Sequence, residues 1–193
     1  MYGLRGSNVE IEVCGILYNT LLRMCLFLFF YVSAGVLFIG IVSAISIKGI
    51  KSGWRLCGKI ALPIYLFLLL SATVIFRKFV ENQTHNFVPF WSYKEILSTG
   101  SRDLLYQNIF NVLVFVPIGL LVGVSFKSIK LWQVFLLGFC VSASVELLQF
   151  VLKRGFAEFD DVFHNVVGCM IGFGIYKAFE WWGRVRNGRG VRG

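Results

Sequence analysis

Ten acidic residues are spread over 193 positions, and three of them, Glu146, Asp160 and Asp161, stand where carboxylates are able to do chemistry. Glu146 interrupts an otherwise apolar run, with Gln149 three residues later and Ser142 four residues earlier on the same helical face. A carboxyl group in such a setting is either held neutral by burial, paired with a cation, or placed as a general acid or base. Asp160 and Asp161 stand in tandem at the head of the next apolar run, with His164 and Asn165 one turn deeper. One Asp there is accounted for as a helix N-cap; the second invites a functional reading. Arg154 lies between the two runs. It is the natural counter-ion for these acids, or for an anionic ligand group such as a phosphate or carboxylate.

The elements that carry these residues are membrane spans. The chain is 57% hydrophobic and only 15% charged, where soluble domains hold about 25% charged residues. The composition therefore predicts an all-α, multi-pass transmembrane bundle rather than a soluble domain. Five apolar segments qualify as spans: 24–47, 60–76, 109–126, 131–152 and 162–179. The connection 48–59 reads as short and basic, 77–108 as long with scattered aromatics, 127–130 as a tight hairpin, and 153–161 as a polar rim. The first segment is too long for a signal-peptide core and no A-x-A site follows it, so an uncleaved span is expected.

The formal charge of +9 does not point to nucleic acid. The cations sit in short loops and after residue 182, where they act as topology signals and as contacts to anionic lipid. Eleven of the 19 Lys and Arg residues fall on one side of a five-span arrangement, the side of the C-terminus. Nearly all of the acids outside the spans fall on the other side. The expected topology has the N-terminus outside and the C-terminus in the cytoplasm. In that topology Glu146 lies roughly 9 Å below the outer surface, at 1.5 Å per residue.

Asn108 and Asn111 open the third apolar segment, three apart and on one face. Pro117 interrupts the backbone ladder of the same segment. Gly119 and Gly123, like Gly168 and Gly172, have the four-residue spacing that lets helices approach closely. The polar residues of segments three to five thus converge near the outer surface as a pocket, with 153–168 as its rim and Glu146 as its floor. Five cysteines form no C-x-x-C pair, His85 and His164 lie on separate elements, and no H-E-x-x-H spacing occurs. Neither a metal site nor a cofactor is expected.

Three blocks of this sequence resemble the VanZ-like family of bacterial membrane proteins: NFVPF at 86–90, NIFNVLVFVPIGLLVG at 108–123, and ELLQF at 146–150 followed by RGFAEFDDVFHNVVG at 154–168. Together they cover roughly residues 60–180, which divides the chain into an extra N-terminal span with a basic cytoplasmic loop (1–59), a VanZ-like domain (60–180) and a basic, disordered tail (181–193). The resemblance implies a protein of the bacterial cytoplasmic membrane that affects susceptibility to glycopeptide antibiotics, above all those of the teicoplanin type. It adds Pro89 and Phe90 to Arg154, Gln149, Asn108, Asn111 and Asn165 as candidate binding residues. His164 is not carried over. The resemblance brings no reaction with it. One reading is a non-enzymatic protein that binds an amphiphile, such as a lipoglycopeptide tail or a lipid-linked cell-wall precursor, at the outer leaflet. A second is an intramembrane enzyme acting on a lipid head group with Glu146 as acid or base and Asp160 and Asp161 holding a metal or a substrate. A third, a role in transport or assembly, lacks the internal repeats common in transporters.

Overall fold

A computed structural model describes residues 51–80 and 85–189. The expected first span at 24–47 lies outside the described residues. Helix α1 (Lys51–Leu70) continues into one π-turn (Ser71–Ile75), and a two-residue strand β1 (His85–Asn86) precedes the short helix α2 (Trp91–Thr99). Helices α3 (Arg102–Ser125) and α4 (Leu131–Val151) follow, then strand β2 (Ala157–Glu158) and the long helix α5 (Phe159–Arg189). Among the described residues, four helical stretches are long and apolar enough to cross a membrane: Gly53–Ile75, Arg102–Ser125, Leu131–Val151 and Phe159–Arg186.

Helix α3 is the central one. Of its apolar window 67% is buried, against 28–39% for the other three, and every residue from Phe115 to Ser125 is buried. A helix that is apolar all round belongs in such a position. Its tightest partner is α5, and the glycines explain why. A Cβ at Gly119 would collide with the carbonyl of Cys169, and one at Gly168 or Gly172 would collide with the carbonyls of Val112 or Val116. The two backbones lie directly on each other, as the four-residue glycine spacing anticipates. Around this seam, Tyr65 and Leu69 of α1, Phe115 and Ile118 of α3, Val134 of α4 and Phe173 of α5 form the core. Tyr65 also donates its hydroxyl proton to the carbonyl of Val114 (2.8 Å). The outer faces keep large apolar side chains such as Phe67, Phe135, Leu147 and Ile171 exposed, which is stable only where lipid covers them.

Several boundaries differ from those expected. Helix α1 includes Lys51, Arg55 and Lys59, within the stretch expected as a connection; long basic side chains at a span end extend toward the interface without breaking the helix. Helix α3 starts at Arg102, where Ser101 accepts from the N–H of Leu104 (3.5 Å) as N-cap. Asn108 and Asn111 therefore sit in its second and third turns rather than at its mouth. Helix α5 begins at Phe159, which places both aspartates inside the first turn. It also runs on through 181–189, where a disordered tail was expected. No proline interrupts that stretch, and Glu180 links Lys177 and Arg184 along the helix by contacts of 3.1 and 3.7 Å.

Candidate functional site

Five elements meet at the end of the bundle where α3 and α5 begin and α4 ends. The π-turn is what brings α1 into register there. In it the N–H of Phe76 donates to the carbonyl of Ser71 (2.9 Å), and the inserted residue leaves the carbonyl of Thr73 turned toward α4. The Nε2 of Gln149 donates to that carbonyl (3.1 Å). The chain leaving the π-turn runs beside 153–158. The N–H of Val80 donates to the carbonyl of Lys153 (2.9 Å), and β1 and β2 pair in parallel, His85 with Ala157 and Asn86 with Glu158.

Asp160 is fully buried and serves a helix other than its own. Its Oδ1 accepts from the N–H of Phe90 (2.6 Å), and its Oδ2 from both the N–H (3.0 Å) and the hydroxyl (2.6 Å) of Ser92. These are donors at the start of α2, so Asp160 is an N-cap supplied across the fold, with the helix dipole in its favour. Asn108 closes the network by donating from Nδ2 to the Ser92 hydroxyl (3.1 Å). Phe90 adopts a left-handed backbone, φ 60°, which is strained for a non-glycine residue and is held by the preceding Pro89 turn and the Asp160 bond.

Asp161 takes a separate set of partners. Its Oδ1 accepts from the Nδ2 of Asn111 (2.6 Å), and Gln107 is a further donor. Glu146, 8% exposed, accepts at Oε2 from the N–H of Glu158 (3.3 Å). Glu146, Glu158 and Asp161 lie within electrostatic reach of one another and of the Arg77 guanidinium. Glu158 is half-buried and precedes the span; burial first, then the charges of Asp161 and Asp160, raise its carboxyl to about 7, against the lowering influence of Arg77.

Arg154 does not fill the role of counter-ion. Its Nη1 donates to the carbonyl of Arg77 (2.8 Å), and in doing so it fixes the segment that carries the arginine facing the acids. Arg77 itself lies against Gly155, where a Cβ would crowd its guanidinium. Gln149 donates to the Thr73 carbonyl of the π-turn. Asn165 donates to the hydroxyl of Ser142 (2.8 Å) and ties α5 to α4. The hydroxyl of Tyr93 and the Nε2 of His164 share a hydrogen bond (2.7 Å). Arg77, Ser92, Gln107 and Glu158 were not among the candidates from sequence. All four belong to the connections or to helix ends, where polar residues are ordinary and carry no signal of their own.

Beside the acids is a cavity of about 430 Å³, lined by Phe139, Ala143, Leu147 and Phe150 of α4, by Phe159 and Val162 of α5 and by Phe87, with Glu146 and Glu158 in its wall. The α4 positions 139, 143, 146, 147 and 150 form one helical face. No group of three His, Cys, Asp or Glu side chains among the described residues is arranged to hold a metal ion.

The family model described as VanZ/LLP1 matches residues 61–180. The chain belongs to the VanZ/LLP1 family. The acid cluster, the Asp160 network and the glycine seam all fall inside the region that this VanZ/LLP1 match covers. Protein VanZ of Enterococcus faecium is 37% identical over 70 residues, which cover 36% of this chain and 44% of that relative. The chain thus spans less than half of its length. No solved structure matches the chain.

Proposed function

We propose that this VanZ/LLP1 membrane protein binds an amphiphile from the outer leaflet and thereby alters susceptibility to glycopeptide antibiotics of the teicoplanin type. One observation carries the reading: an apolar cavity of about 430 Å³ opens beside a cluster of carboxylates. Its volume suits an acyl chain or a similar tail. Glu146 and Glu158 in its wall favour a head group that donates hydrogen bonds or carries an amine, such as a sugar or peptide portion of a lipoglycopeptide or a lipid-linked cell-wall precursor. In the topology expected from the Lys and Arg distribution, this end faces outward from a bacterial cytoplasmic membrane, with the C-terminus in the cytoplasm.

The test compares teicoplanin susceptibility of cells lacking the protein with cells carrying it or its variants, at matched membrane accumulation. Ala143→Phe fills the cavity without replacing a carboxylate, and should abolish the protein's effect. An undiminished effect of the Ala143→Phe protein overturns the reading. The proximity of Glu146, Glu158 and Asp161 favours one second reading, acid–base chemistry on a lipid head group. Glu146→Gln preserves size and hydrogen bonding but cannot ionise. Full function of that variant removes Glu146 as a general base and leaves binding as the account.

A further inference from the structure

We propose that the opposite end of the bundle holds a second site, which binds the phosphate of an anionic membrane lipid. A cavity of about 490 Å³ lies there between the start of α1, the end of α3 and the start of α4, lined by Arg55, Lys59, Lys127, Ser128 and Gln133 with Phe126 and Ile129. Three cations from two chain segments thus converge on one concave space. Among the described residues the single carboxylate at this end is Glu180, and it is already engaged by Lys177 (3.1 Å) and Arg184 (3.7 Å). No salt bridge to a carboxylate is made by Arg55, Lys59 or Lys127 among the described residues, so their charges are left to attract an anion.

The walls decide which ligand. Gln133 spends its Oε1 on the N–H of Lys130 (2.9 Å), which leaves its amide protons to donate to an anion. Phe126 and Ile129 offer apolar surface next to the cations; this suits the glycerol and first methylenes of a lipid better than a fully hydrated ion. Trp132 and Trp181, 57% and 63% exposed at the same end, mark the head-group level at which such a lipid presents its phosphate. Basic hollows between spans at this level are where anionic head groups lodge. The site is independent of the outer cavity and of the function proposed for it.

Native mass spectrometry of the full chain, titrated with phosphatidylglycerol and separately with phosphatidylcholine, tests the proposal. The unaltered protein should retain phosphatidylglycerol the more tightly, and should lose that preference in 1 M salt, where charges are screened beyond about 3 Å. The Arg55→Gln/Lys127→Gln protein should bind phosphatidylglycerol about 25-fold more weakly, at about fivefold per cation. Arg186→Gln, which changes a cation outside the cavity and leaves the Glu180 ion pairs in place, should have no such effect. Should the first pair fail to accumulate, Ser128→Trp blocks the cavity at constant charge and should give the same loss. Equal retention of the two lipids by the unaltered protein overturns the proposal. Displacement of phosphatidylglycerol by millimolar inorganic phosphate overturns the lipid as its source.

Discussion

Asp160 and Ser92, 68 positions apart, are joined twice: one carboxylate oxygen of Asp160 accepts both the backbone N–H of Ser92 at 3.0 Å and its hydroxyl at 2.6 Å. With the N–H of Phe90 on the other oxygen, a single buried side chain fastens α2 over the ends of α3 and α5. Removing it strands three donors. Asp160→Ala should destabilise the fold by about 3 kcal/mol, since each buried donor left without a partner costs about 1–3 kcal/mol and local relaxation recovers part of the sum. Asp160→Asn keeps one acceptor and should lose less. Hydrogen exchange in detergent checks this: 91–99 should lose protection first, and unchanged protection in Asp160→Ala would count against the capping role.

The glycine seam makes a sharper contrast. Gly119→Ala and Gly168→Ala drive a methyl group into the backbone of the facing helix, and should cost at least about 2 kcal/mol each with a drop in membrane accumulation. Gly174→Ala meets nothing within 4 Å and should stay within about 0.5 kcal/mol of the unaltered protein. Thermal denaturation of the three variants side by side reads the difference.

Glu158 carries the pH dependence. Its folded carboxyl is raised to about 7 by burial and by Asp161 and Asp160, against the lowering influence of Arg77, above the model-peptide value of about 4.3. The folded state therefore binds the proton more tightly than the unfolded one, and the associated stability is complete below pH ~4.3 and lost as pH rises through about 7. Between pH 5 and 8 the Tm of the unaltered protein should fall, and that of Glu158→Gln should fall less. Arg77→Gln should move the midpoint of the fall upward. A Tm difference between the unaltered protein and Glu158→Gln that does not vary with pH would contradict the assignment.

The proposed orientation is checked by chemistry at Ser98, which is exposed on α2. A cysteine introduced there should react with a membrane-impermeant thiol reagent in intact cells, and a reporter fused after residue 191 should behave as cytoplasmic. The reverse pattern would turn the acid cluster toward the cytoplasm.

The four spans among the described residues were legible because apolar run length and charge placement are properties of single segments. A window rich in Leu, Val and Phe crosses a membrane whatever its neighbours do, and the glycine pairs announce close approach because no other residue permits it. The polar residues near one end of the bundle were legible for the same reason: Glu146, Gln149 and the two aspartates are costly in apolar surroundings and so draw the eye. Who bonds to whom was not. One of the two aspartates looked like a cap for its own helix, whereas Asp160 caps α2. Arg154 looked like the counter-ion, yet it binds a carbonyl while Arg77, 77 positions earlier, faces the acids. Both assignments hang on the π-turn at Ser71–Ile75 and on the pairing of 85–86 with 157–158, which bring a connection and a rim together. Pairings of that length depend on how whole segments dock, and the docking is set by the packing of four helices at once rather than by any pattern within one of them.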